Sequence, residues 1–293
     1  MFQIISDGGC DFRKEEAKAQ DVGIVPFYIT FDEVHHLKEG VDIDKEDYFK
    51  RLLAEKDLFP KTSQPSPQDY IDAYTPHLQA GKDVLSLSIS SKLSGSYASA
   101  VIAAEMLKEE YPERTIAILD SLNTSMGQGL ILGEIVKMRD AGYSLSETVA
   151  LAEKVRGTTQ LYVTLDSLEY LKKGGRVGPT TALVGGILGL CPVLQLEDGQ
   201  VSQLESVRGR KNVLRRMQEA VVDVLKDEVE SINLSIGHIL SYEEASAFRE
   251  AIVEALNMKA APPIAEIGAT IGTHTGPGAL GFAYCRKYDA LVG

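Results

Sequence analysis

Apolar and polar positions follow one rhythm in the first half of the chain and another in the second. Short apolar runs at 2–6, at 25–31 around Pro26, at 83–90 and at 115–119 read as strands. Between them lie stretches with helical spacing. Residues 44–55 carry Tyr48, Leu52 and Leu53 on one face, and 96–110 carry Ala100, Ala103, Ala104 and Leu107. Residues 127–141 and 145–155 read as two more helices. Strand–helix alternation predicts a mostly parallel sheet with helices on both faces. Beyond this, 161–165 is a short strand and 167–171 starts a short helix. Strands at 191–196 and 201–207 flank Glu197-Asp198-Gly199-Gln200, a hairpin-like turn. Helices at 212–229 and 242–256 surround a strand at 231–240, and strands at 264–271 and 279–285 enclose a Gly-rich loop. The expectation is an α/β protein of two domains, with an N-terminal parallel sheet domain over 1–160 and a C-terminal α+β domain with antiparallel pairing over 161–293.

The most apolar stretch, 182–194, is interrupted by Gly and Pro and is shorter than the roughly 20 residues of a membrane span. It therefore predicts a buried segment or the cover of an apolar surface, with no stable membrane insertion. The charge balance narrows the choice of partner. There are 30 Lys plus Arg against 42 Asp plus Glu, a net charge of −12, which disfavours nucleic acid as a partner. Cys10, Cys191 and Cys285 form neither a disulfide framework nor a CxxC pair, and the opening Met-Phe-Gln-Ile-Ile-Ser-Asp has no basic leader, so a cytoplasmic location is expected. His35, His36, His77 and His238 are scattered without metal-ligand spacing, so neither metal nor cofactor is expected.

Several segments carry candidate chemistry, each with a plain structural alternative. Lys61-Thr62-Ser63-Gln64-Pro65-Ser66-Pro67 sets hydroxyls and an amide between prolines, which stiffen it as a loop. Ser66 or Pro67 would equally start the helix that follows, but Thr62 and Ser63 are not needed for that cap. Ser90-Ser91-Lys92-Leu93-Ser94-Gly95-Ser96-Tyr97 joins a strand to a helix, where parallel sheets bind ligands and free N–H groups favour an anion. Ser94 or Ser96 would also serve as a simple cap. His274-Thr275-Gly276-Pro277-Gly278 combines a hydrogen-bonding ring with a turn; the alternative is a structural His at a strand end. Lys172-Lys173-Gly174-Gly175-Arg176 is either a helix stop or an exposed basic contact, and Arg208, Arg210, Lys211, Arg215 and Arg216 form a solvated helix face or a phosphate site.

Taken in order, these segments resemble the DegV family, the fatty-acid-binding subunits of bacterial fatty acid kinase. Asp7-Gly8-Gly9-Cys10-Asp11 and Asp120-Ser121 extend the match, as does Lys173-Gly174-Gly175-Arg176-Val177-Gly178. The set spans nearly the whole chain. Ser96 stands where Thr is more usual, and Gly209 interrupts a common Arg-Thr pair. The resemblance implies a long-chain fatty acid between the domains, its carboxylate held by the Thr62 and Ser94 hydroxyls and the Gly95 N–H near His274, with Ser63 and Ser91 as further pocket residues. It also implies a separate ATP-using kinase subunit that phosphorylates the carboxylate and an acyltransferase that receives the acyl phosphate. Arg176 and Arg208 are then candidates for partner or phosphate contact, and 182–194 for a tunnel wall. No catalytic residue of its own is implied.

The rival expectation is a standalone phosphotransferase or hydrolase using Ser94 with His274. The chain has neither Gly-Lys-Ser/Thr nor Gly-x-Ser-x-Gly, which disfavours it.

Overall fold

A computed structural model describes residues 2–55, 58–176 and 189–292. The chain runs β1 (Phe2–Asp7), α1 (Lys14–Ala19), β2 (Val22–Val25), β3 (Tyr28–Thr30), β4 (Leu37–Lys38), α2 (Lys45–Ala54), β5 (Lys61–Ser63) and α3 (Pro67–Gln79). It continues through β6 (Asp83–Ser88), α4 (Ser96–Lys108), β7 (Ile116–Asp120), α5 (Ser125–Asp140), α6 (Leu145–Thr158), β8 (Gln160–Thr164) and α7 (Glu169–Gly174). The rest is β9 (Leu190–Glu197), β10 (Gln200–Arg208), α8 (Arg210–Leu225), β11 (Ile232–His238), α9 (Tyr242–Ala255), β12 (Ile264–Glu266), α10 (Ala269–Thr275) and β13 (Leu280–Arg286).

Strands β2-β1-β6-β7 form a parallel sheet. Its centre is apolar on both faces, as covered parallel strands must be. Ile5 and Val84 pack with α3 and α4 on one side, while Ile4 and Leu85 pack with α5 and α6 on the other. The second sheet has six strands in the order β10-β9-β8-β13-β11-β12, with β11–β12 its parallel pair. Helices α8 and α9 cover one face through Val213, Met217, Phe248 and Ile252. A small antiparallel sheet, β4-β3-β5, completes the fold. Helix α5 buries Ile131, Leu132, Ile135 and Met138, and its N-terminal Met126 packs with Leu161 and Leu165. Strands therefore divide near residue 160, while the apolar core runs across the division.

The hairpin between β9 and β10 turns on Asp198 and Gly199, with φ of 48° and 79°; this left-handed pair is what a two-residue hairpin requires. Three expectations need correction. Residues 25–31 are not one strand: Pro26 lacks the N–H a ladder needs, and the chain leaves the parallel sheet there to enter the small one as β3. Residues 61–63 are a strand rather than a loop, with Tyr28 opposite Ser63 and Ile29 opposite Thr62. Residues 264–271 are not a single strand either. Strand β12 stops at Glu266, and α10 starts after Gly268 because distant carboxylates accept its first N–H groups. His274 therefore sits in the last turn of a helix rather than at a strand end. Of the expected apolar cover at 182–194, residues 182–188 lie outside the described residues, and 190–194 belong to β9.

Candidate functional site

The C-terminal edge of the parallel sheet is organised by Asp7, the last residue of β1. Its carboxylate accepts from the N–H of Gly9 at 3.1 Å and of Ile89 at 2.9 Å. It also accepts from the Ser96 hydroxyl at 2.6 Å and the Gln128 amide at 2.9 Å. Burial pushes its pKa up, against the pull of these donors. The loop after β6 and the starts of α4 and α5 are thus tied to one side chain.

That loop presents Ser94. Its oxygen accepts from the Ser96 N–H at 3.2 Å, so part of the capping alternative holds, yet Ser94 also borders a cavity of about 390 Å³ and its own proton is not committed by that bond. Ser66 makes the capping box with Asp69, which leaves Thr62 free of any capping duty. Thr62 Oγ1 lies 2.8 Å from His274 Nε2, joining β5 to α10 across 212 positions of sequence.

The cavity is walled on its apolar side by Phe27, Ile89, Leu93, Leu171, Val201 and Ile271. Thr62, Ser63, Gln64, Ser94, Arg176 and His274 supply the polar part, together with Thr124, Thr270 and Thr275. The hairpin tip closes one flank, with the Ser90 hydroxyl donating to the Gly199 carbonyl at 2.7 Å. Arg176 folds inward. Its guanidinium donates to the Leu93 carbonyl at 3.2 Å and to the Gly174 carbonyl at 2.6 Å. This position follows from the end of α7, where Gly175 adopts φ of 68° and turns the chain back.

Not every candidate converges there. Ser91 is exposed, and its N–H donates to Asp120 at 3.2 Å. Gly95 is the N-cap residue of α4 and lies against the Gln64 side chain rather than on the cavity wall. Arg208 is exposed at the end of β10, away from the cavity. Val177 and Gly178 of the basic motif lie outside the described residues. Two wall residues that the motif reading missed are Thr124 and Thr270. A Thr before a long helix reads locally as a cap, so nothing in the sequence marked Thr124 as a wall residue.

Burial, and then the nearby Arg176 charge, lower the His274 pKa to about 4, so the ring is neutral near pH 7 and is a weak base. Its Nε2 faces Thr62 rather than Ser94, and among the described residues Nδ1 has no hydrogen-bond partner. Gly174 stands against that nitrogen; a methyl group there would overlap the ring. A triad needs a base oriented by a third polar group, and none is present behind this ring among the described residues. The described residues hold no group of three or more His, Cys, Asp or Glu placed to bind a metal, and no helix among them is long and apolar enough to cross a membrane. What remains is a set of neutral donors and one guanidinium lining the same cavity as six apolar side chains. That set can hold an anionic head group.

Comparison with known proteins agrees with this architecture. The model of the DegV family, a family of uncharacterised proteins, matches residues 1–287. A DegV domain-containing protein of Clostridium acetobutylicum is 33% identical over 282 residues, 96% of both sequences. Among solved structures, a stearic-acid-binding protein from Eubacterium ventriosum superposes with a TM-score of 0.93 at 30% identity, covering 99% of this chain and 100% of its own. A fatty-acid-binding DegV family protein from Thermus thermophilus gives 0.86 at 29% identity, covering 97% and 99%. With the family model spanning nearly the whole sequence and a relative one-third identical end to end, this chain belongs to the DegV family.

Proposed function

We propose that this chain binds one long-chain fatty acid, with the carboxylate toward Thr62, Ser94 and His274 and the acyl chain in the apolar cavity. The observation that carries the reading is the shared cavity: hydroxyls from β5 and the β6–α4 loop and a neutral imidazole from α10 border the same space as six apolar side chains. The stearic-acid-binding and fatty-acid-binding relatives support it.

The energetics suit a carrier. About 14 buried methylenes at roughly 0.8 kcal/mol each give about 11 kcal/mol gross. Association costs on the order of 4–15 kcal/mol. Removing the chain from water therefore supplies most of the affinity. Hydrogen bonds to the carboxylate, roughly 1.5–3 kcal/mol each, fix which end faces the mouth. A carrier of this kind presents its carboxylate to a separate ATP-dependent kinase subunit and carries the resulting acyl phosphate to an acyltransferase. Arg176 would steady the head-group charge, and the exposed Arg208 would meet the kinase or the phosphate. In this reading residues 1–160 and 161–293 act as two domains, and the site works in the cytoplasm.

Organic extraction of the purified protein followed by mass spectrometry tests the reading. A long-chain fatty acid at near one per chain is expected. Protein from several expression hosts that yields no lipid, and that takes up none when offered hexadecanoate, would refute it.

A further inference from the structure

Thr124 is the N-cap residue of α5, a 16-residue helix, yet its side chain makes no capping bond. It is 8% exposed, and among the described residues its hydroxyl has no hydrogen-bond partner. It borders the same cavity as Thr62, Ser94 and His274. A buried hydroxyl without a partner is costly, and a threonine that caps nothing has no local reason to keep one. The first N–H groups of a helix lack intrahelical acceptors, so this end of α5 also favours negative charge.

Thr270 provides the contrast. Its hydroxyl is also buried on this wall without a hydrogen-bond partner among the described residues, but a carboxylate already stands close to it: Glu39, which accepts the Thr270 N–H at 3.1 Å and whose pKa, raised by burial, the Thr270 side chain pulls down. The backbone of Thr124 is committed, its N–H donating to Asn123 Oδ1 at 3.2 Å and its carbonyl accepting from the N–H groups of Gly127 at 3.0 Å and Gln128 at 3.3 Å, so among the described residues only its hydroxyl is left without a partner. The fixed position of that backbone follows from Asn123, whose carbonyl accepts from both the Ser90 N–H at 2.8 Å and the Ser121 hydroxyl at 2.9 Å.

We propose that Thr124 is a further head-group residue: its hydroxyl donates to the ligand's carboxylate from the start of α5, so the carboxylate is read by four segments, β5, the β6–α4 loop, α10 and the start of α5. The inference rests on the fatty-acid reading above. It adds a specificity for an acid over a neutral head of equal chain length.

The test compares delipidated wild type, Thr124→Val and Thr124→Ser for equilibrium binding of hexadecanoate and of hexadecan-1-ol, with thermal unfolding recorded for each. Valine keeps the volume and removes the hydroxyl; serine keeps the hydroxyl. Thr124→Val should weaken hexadecanoate about tenfold, the size of one charge-assisted bond, and hexadecan-1-ol by less than about threefold. Thr124→Ser should restore the acid affinity. Equal hexadecanoate affinity in wild type and Thr124→Val overturns the inference and leaves the fatty-acid reading standing. An equal loss for acid and alcohol also overturns it, because the residue would then act through shape. A wild type that binds neither ligand defeats the fatty-acid reading itself and this inference with it.

Discussion

Helix α10 meets two carboxylates at its N-terminal end and carries one neutral imidazole at the other. At the start, Asp11 accepts the Gly268 N–H at 2.9 Å and the Ser125 hydroxyl, while Glu39 accepts the N–H groups of Ala269 at 2.5 Å and Thr270 at 3.1 Å. At the finish, His274 faces Thr62 and the cavity. Each carboxylate meets several donors within the protein, which fixes the helix in place. Among the described residues the imidazole has one partner, Thr62, and its Nδ1 has none. Carboxylates hold the start of α10, and the imidazole borders the cavity.

The largest expected effect breaks the scaffold end. Glu39→Ala strands two helix N–H groups, each worth roughly 1–3 kcal/mol when left unpaired. A loss of about 3 kcal/mol, or about 6–12 °C in Tm, is expected by calorimetry. A shift under about 2 °C would mean that water replaces the carboxylate and that α10 does not depend on it.

A smaller effect falls on the imidazole end. Gly174→Ala drives a methyl group into the His274 ring. Overpacking of this kind costs roughly 1–3 kcal/mol. Because it displaces a ligand-facing group, hexadecanoate binding should weaken by about tenfold or more. Titration calorimetry decides this; unchanged affinity would remove His274 from the head-group set.

The smallest effect concerns pH and has opposite signs at the two ends. Burial raises the Asp11 pKa to about 7, so between about pH 4 and 7 the folded chain holds more protons than the unfolded one, and stability falls as pH rises. The His274 pKa is lowered to about 4, so between about pH 4 and 6.5 the folded chain holds fewer protons, and stability rises with pH. Each variant should expose the other group. Asp11→Asn should show Tm rising more steeply with pH than wild type across this window, and His274→Gln should show it flattened or falling. Parallel curves for all three proteins would contradict the assignment.

The same contrast explains how much was legible in the sequence. Helix α6 starts with Ser144 and Glu147 in a capping box, and the Asp198-Gly199 turn carries its own left-handed preference, so both follow from neighbouring residues. The start of α10 does not, because its caps come from residues 257 and 230 positions away. That is why 264–271 reads as one strand and His274 as a strand-end residue. The site was legible unevenly for the same reason. Thr62, Ser94 and His274 stand out through an ordered set of motifs, whereas local rules leave each of them open to a structural role. Thr124 is invisible to both approaches. Its significance lies in a bond it does not make, which only the packed structure reveals.

A crystal structure with hexadecanoate bound decides whether the carboxylate of a fatty acid lies beside Thr62, Ser94 and His274. A carboxylate oxygen is expected within about 2.6–3.2 Å of Thr62 or Ser94, with the chain running along Ile89, Leu93 and Ile271. A chain lying with its methyl end at Thr62, or a ligand seated instead in the smaller depression beside α8 at Tyr162 and Arg216, would contradict it.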